Sequence, residues 1–153
     1  MERPRGTGDR PADAISGQPA ARITHVGMVA VPVSDQDRAL EFYVGTLGFE
    51  KRLDVAYNSG RWIEVAPPGG TTTLALIPVR EGRRAGIETG IRLALDTIHD
   101  HAMEDTAAIH SDLVRRGANA DPEVLHVPGV PPMFTFRDPD GNVLRVVARH
   151  QPD

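Results

Sequence analysis

The chain is predicted to be α+β, built as two βαβββ modules, and three observations lead there. Short β-branched runs separated by turn residues outnumber helical stretches. Each half holds one amphipathic helix of three to four turns. The order of elements in the first half then repeats in the second. Two such modules each have one sheet face to cover, so neither half is complete without the other.

Within the first half, Ile23 to Val33 reads as a strand closed by Pro32 and the turn-former Ser34. Ser34 is placed to cap a helix, with Asp35 and Asp37 at its positive end. Ala39, Leu40, Phe42, Tyr43 and Leu47 recur at spacings of three and four along it, and Gly48 is placed to end it. Phe49 to Val55 and Arg61 to Val65 form strands around an Asn58-Ser59-Gly60 turn. Pro67-Pro68-Gly69-Gly70 turns the chain into a further strand, Thr72 to Val79.

The second half opens with the strand Thr89 to Leu95. A helix follows from Ala102 or Thr106 to Arg116, with Ala108, Ile109, Leu113 and Val114 as its apolar face and Gly117 after its end. A strand is expected over Glu123 to Val127, then a Pro128-to-Pro132 loop. The last pair of strands surrounds Asp138-Pro139-Asp140-Gly141, where proline pre-sets φ, aspartates bond nearby N–H groups and glycine takes positive φ. Phe134 and Phe136 alternate with polar neighbours before the turn, and Val143 to Val147 resume the sheet after it. The inward side of this hairpin is expected to wall a pocket, with Phe134 as a binding residue.

Residues 1–21 are rich in Pro, Gly, Arg and Ala and cannot bury enough surface to offset ordering, so they are expected to be a disordered arm. One domain is expected over 22–149: module one over 22–79, a linker over 80–86 and module two over 87–149. A length of 153 residues with 25% charged and 40% apolar residues is ordinary for a soluble globular chain. The net charge of −4 leaves no basic footprint for nucleic acid. No cysteine is present, which excludes disulfides and thiolate metal sites and fits a cytoplasmic home. No apolar run is long enough to span a membrane, and the arginines near the N-terminus are followed by no signal-like segment.

Thr24-His25-Val26, Asp37-Arg38-Ala39-Leu40-Glu41-Phe42-Tyr43, Leu47-Gly48-Phe49 and Phe136-Arg137-Asp138-Pro139-Asp140-Gly141-Asn142 follow one another in an order that resembles the vicinal oxygen chelate superfamily, the glyoxalase/bleomycin resistance/dioxygenase proteins. The resemblance runs from Ile23 to Ala148. It implies sheets curved around a cup with the helices outside, and commonly a homodimer. In metal-using members four inward side chains hold one divalent ion. Those positions fall here on His25, near Ala75, near Gly90 and on Arg145, so three of four cannot ligate, and no metal cofactor is expected. His99, His101 and His110 are expected on solvated loop and helix surface, and His126 at the rim of the cup.

Counting by twos from those positions puts His25, Gly27 and Val29, then Thr73, Ala75 and Ile77, on the cup side. Gly90, Arg92, Ala94, Val143, Arg145 and Val147 follow in module two, with Trp62 and Glu64 completing the set. Trp62, Glu64, Arg92, Phe134 and Arg145 are the expected substrate-binding residues, with His25 as the candidate catalytic group. Two inward arginines call for an anion, supplied by Glu64, a partner subunit or a substrate. The function expected is metal-independent binding of a small anionic or polar molecule. The alternatives are an enzyme of glyoxalase, epimerase or dioxygenase type with His25 as ligand or base, and an interaction module with no ligand.

Overall fold

The computed structural model describes Gly17 and residues 20–58, 60–80, 82–97 and 99–150. The predicted arm falls, but for Gly17, Ala20 and Ala21, outside them. In chain order the elements are β1 (Met28–Val33), α1 (Gln36–Leu40) running on into a wider π-type turn (Glu41–Thr46), β2 (Glu50–Tyr57), β3 (Gly60–Ala66) and β4 (Thr73–Pro78). There follow β5 (Glu88–Thr97), a short 3-10 turn (His99–His101) into α2 (Ala102–Arg115), β6 (Asn119–Ala120), β7 (Met133–Arg137) and β8 (Val143–His150). They form two four-stranded mixed sheets ordered β1-β4-β3-β2 and β5-β8-β7-β6. In each, the first and last strands of a module pair in parallel and the rest are antiparallel, the α+β arrangement that the repeat predicts.

Helices cover one face of each sheet. Val31, Val33, Ile63, Val65, Leu74 and Leu76 point to that covered side in the first sheet, and Phe134, Phe136, Leu144 and Val146 in the second. Phe42 and Tyr43 close the space between, Phe42 lying 6.1 Å from Phe136 between ring centroids, so both modules share one core.

The turn between β7 and β8 binds the modules together. Asp138 is 4% exposed and its carboxylate accepts four hydrogen bonds. The donors are the Tyr43 hydroxyl at 3.0 Å, Asn142 Nδ2 at 2.8 Å, and the backbone N–H groups of Asp140 and Asn142 at 3.0 and 2.9 Å. Burial, then the Asp138 charge, raises the Tyr43 phenol far above its ordinary value, so it stays a donor. Asp140 takes the N–H and the hydroxyl of Ser34 and the Arg38 guanidinium. The signature turn is therefore a clamp on the start of α1.

Several expectations shift at this level. Asp35, not Ser34, caps α1 by accepting from Arg38 N at 3.0 Å, because the Ser34 hydroxyl is engaged by Asp140. β1 begins at Met28 rather than Ile23. Its one neighbour, β4, starts only at Thr73, so the chain before Met28 is held by no more than the Gly27 carbonyl accepting from Thr73 N at 3.0 Å and the Val26 carbonyl accepting from the Thr72 hydroxyl at 2.8 Å. Glu123 to Val127 is not a strand. Pro122 has no N–H to donate, and pairing with β7 is reduced to Asn119–Ala120 and a lone Leu125–Met133 bridge. On α2 the buried residues are Thr106 and Leu113, with His110 half-buried between them, while Ile109 and Val114 are 37% and 47% exposed. His110, expected on a solvated surface, lies edge-on to Phe134 and 2.6 Å from the Asp121 carbonyl oxygen.

One ion-pair cluster on the first sheet has a measurable consequence. Arg61 donates to both oxygens of Asp54, at 3.0 and 2.7 Å, and Lys51 adds a third contact at 3.2 Å. The Arg61 hydrogen bonds lower the Asp54 carboxyl from 3.8 to about 2. A folded-state value below the unfolded one means that stability is present above the unfolded value and lost as pH falls. Thermal unfolding temperatures should therefore drop between pH 4 and pH 2 more steeply in the native chain than in Asp54→Asn. Equal slopes would show that the cluster contributes nothing.

Candidate functional site

The open face of the first sheet is built by period two. Ladder pairing sets Met28 beside Thr73, Ala30 beside Ala75 and Pro32 beside Ile77. Glu64 lies opposite Ala75 and Leu53, and Trp62 opposite Val55. Thus Met28, Leu53, Val55 and Trp62 surround one carboxylate, on the side away from the helices. Met28, Leu53, Val55 and Tyr57 are 47%, 39%, 47% and 54% exposed, a contiguous apolar surface of the kind that marks a binding site.

Glu64 is fixed in place. Trp62 Nε1 donates to Oε1 at 2.8 Å, and Thr73 Oγ1 donates to Oε2 at 3.0 Å. The Tyr57 ring meets Trp62 edge-to-face at 5.7 Å, holding the indole upright. Each Glu64 oxygen keeps a further lone pair for a donor from outside the chain. Chemically this is an acceptor of set position in an apolar, aromatic-sided surface.

Of the predicted site residues, the structure brings Trp62 and Glu64 together there. Arg92 and Arg145 are ladder partners on the open face of the second sheet. Their counter-charge is not Glu64. Arg145 forms a two-pronged pair with Glu88, at 2.5 and 3.0 Å, which holds the Glu88 carboxyl below its ordinary value. Arg92 donates to the Gly90 carbonyl oxygen at 3.2 Å. Arg145 thus carries its own anion in Glu88 and needs none from a substrate.

His25 lies elsewhere, and Phe134 lines, with Arg145 and His126, a separate depression of about 570 Å³ on the second module. His25 precedes β1, is exposed, and has Nδ1 2.8 Å from Thr24 Oγ1. Its strand register was expected one residue out. Val29 packs against the core, while Met28, Ala30 and Pro32 take the open face. Phe134 is 2% exposed, on the helix-covered face of β7, and Met133 and Thr135 point the other way. The expectation missed Met28, Leu53, Val55 and Tyr57. The β2–β3 pairing across the turn at Asn58 and Gly60 carries Leu53, Val55 and Tyr57, and counting from Trp62 through that turn would have found them, while Met28 comes with the shifted register of β1.

Among the described residues no three His, Asp or Glu side chains come close enough to share a metal ion. Of the positions that the resemblance gives for ligands, Ala75, Gly90 and Arg145 carry a methyl group, no side chain and a paired guanidinium, and His25 lies ahead of β1. That donor set does not fit a hard divalent cation.

Fold and surface together define a two-module sheet protein with an open, apolar, single-carboxylate face. The chain belongs to the Glyoxalase/Bleomycin resistance protein/Dioxygenase superfamily, whose family model matches residues 22–146. TnmS3, an antibiotic binding protein from Streptomyces sp. CB03234, is 36% identical, with 84% of this chain and 98% of that one covered at a TM-score of 0.68. A superfamily member from Sphaerobacter thermophilus DSM 20745 is 34% identical over 83% of this chain and 98% of its own, at a TM-score of 0.72. The uncharacterized protein YetH of Bacillus subtilis (strain 168) is 39% identical over 57 residues, 37% of this chain and 48% of YetH. Among the described residues no helix is long and apolar enough to cross a membrane.

Proposed function

We propose that this chain binds a small organic molecule on the open face of its first sheet and does so without a metal. The ligand presents an apolar or aromatic body to Met28, Val55 and Trp62 and a hydrogen-bond donor to Glu64. The observation that carries this reading is the tethered Glu64 carboxylate at the centre of an exposed apolar surface. Burying that surface under a ligand is favourable in proportion to its apolar area. Glu64 then selects orientation, since a donor left facing it unpaired would cost binding energy.

The similarity to TnmS3 supports a sequestering role, and the residues at the ligating positions support metal independence. His25, in an exposed segment ahead of β1, lends no support to the catalytic alternative. The assembly we propose is a cytoplasmic homodimer, in which a second copy would further enclose the exposed apolar face.

The chain has one tryptophan, so Trp62 reports occupancy of the face directly. A panel of polycyclic aromatic compounds, antibiotics included, should contain members that quench Trp62 emission saturably in metal-free protein. Glu64→Gln, which keeps the shape and one acceptor, should weaken their binding by about tenfold where the ligand donor is charged. Saturable quenching that appears only after loading Ni, Zn, Mn or Fe(II) would overturn metal independence. No quenching by any compound, with or without metal, would leave the interaction module as the better account.

A further inference from the structure

The predicted linker carries Arg80, Arg83 and Arg84, which lie outside the Glu64 face. A turn closed by Arg83 N donating to the Arg80 carbonyl oxygen, at 3.0 Å, folds this segment back on itself. All three side chains are exposed and line one depression of about 540 Å³. Its floor is apolar, formed by Pro32 and Ile77 from the open face of the first sheet and by Ile87. A second depression of about 230 Å³ shares Ile77 and Arg80 with it and reaches Trp62. One groove therefore runs from the indole, over Ile77, to the arginines.

The three guanidiniums differ from most others in the chain. Arg38, Arg52, Arg61, Arg115, Arg116, Arg137 and Arg145 each pair with a carboxylate. Among the described residues Arg80, Arg83 and Arg84 have no ion-pair or side-chain hydrogen-bond partner. Three arginines and one carboxylate, Glu81, which lies outside the described residues, stand within positions 80–84, a net charge of +2; an anion seated among the guanidiniums relieves the repulsion that remains. The guanidinium fork matches a planar carboxylate with two parallel bonds, and the apolar floor excludes water beneath it.

We infer that the linker arginines form the acid-reading end of the ligand groove, so that the ligand is an aromatic carboxylic acid. Its ring system lies along Ile77 toward Trp62, and its carboxylate lies among Arg80, Arg83 and Arg84. This inference rests on the sheet-face reading for the ring and adds the anion and its receptor. It also moves anion recognition away from Arg145, which Glu88 already neutralises.

Naphthoate and its neutral isostere naphthamide test it, with affinity read by calorimetry and position by Trp62 emission. The full chain should bind naphthoate at least tenfold more tightly than naphthamide, and added salt should erode the difference. Arg80→Gln, Arg83→Gln and Arg84→Gln together should abolish the preference and leave naphthamide binding unchanged. The corresponding triple Lys variant should keep part of it. Among the described residues these arginines make no ion pair or side-chain hydrogen bond, so the variants should fold as the native chain does. Equal affinity for both probes with Trp62 quenched would overturn the arginine assignment and leave the sheet-face reading standing. Arginine-dependent naphthoate binding with Trp62 emission unchanged would do the reverse. A preference that survives the triple Gln variant would place the anion site elsewhere, and no binding of either probe would reject the aromatic-acid assignment.

Discussion

Asn142→Ala is expected to lower the free energy of unfolding by about 3–5 kcal/mol. Asn142 is fully buried, and its amide makes four hydrogen bonds. Oδ1 accepts from the backbone N–H groups of Gly86 and Ile87, at 2.8 and 3.0 Å. Nδ2 donates to the Pro32 carbonyl oxygen at 2.7 Å and to Asp138 Oδ2 at 2.8 Å. One side chain thus joins β1, the linker and the β7–β8 turn. Each net bond contributes roughly 1 kcal/mol, and every partner left buried without a substitute adds a desolvation cost.

The midpoint of thermal unfolding should fall by ~10 °C or more, measured by calorimetry or circular dichroism. Asn142→Asp should not rescue it, because a carboxylate cannot donate to Pro32 or Asp138 and adds a second negative charge beside Asp138. A loss below about 1 kcal/mol would mean that the three segments are held by apolar packing alone.

Legibility in the sequence follows how local each determinant is. The stripe of α1, the glycine stop at Gly48 and the turn at Asp138–Gly141 are written in neighbouring residues, and the structure has them where they were expected. Trp62 and Glu64 sharing a face is a consequence of period two, which needs no knowledge of other strands. Register is different. Nothing near His25 says that β4 begins too late to pair with it, and one residue of offset turned Val29 into the core and Met28 toward solvent. Phe134 shows a second limit. Alternation says that Phe134 and Phe136 share a face but not which face the helices cover. The partner of Arg145 was unreadable for a third reason. Glu88 stands 57 positions away and meets it only because β5 and β8 pair in parallel.

Trp62→Ala should weaken ligand binding by about 2–3 kcal/mol, roughly 30- to 150-fold, the largest loss expected at the site. Three effects add. The ligand loses the largest apolar side chain on the open face, and with it an aromatic wall whose contact is worth more than its area. Glu64 loses the Nε1 donor that fixes Oε1, so its carboxylate must be ordered when the ligand arrives. Tyr57 loses the ring it leans on at 5.7 Å and must likewise be ordered on binding. Folding stability should change by less than ~1 kcal/mol, because Trp62 is half-buried on the side away from the core. Trp62→Phe separates the terms: it keeps an aromatic wall, removes only the donor to Glu64, and should cost about three- to tenfold. Calorimetric titration of both variants against a ligand that quenches the native chain decides the matter. Equal losses would make the Glu64 tether the main determinant, and a Trp62→Ala loss under about threefold would move the binding surface off the first sheet.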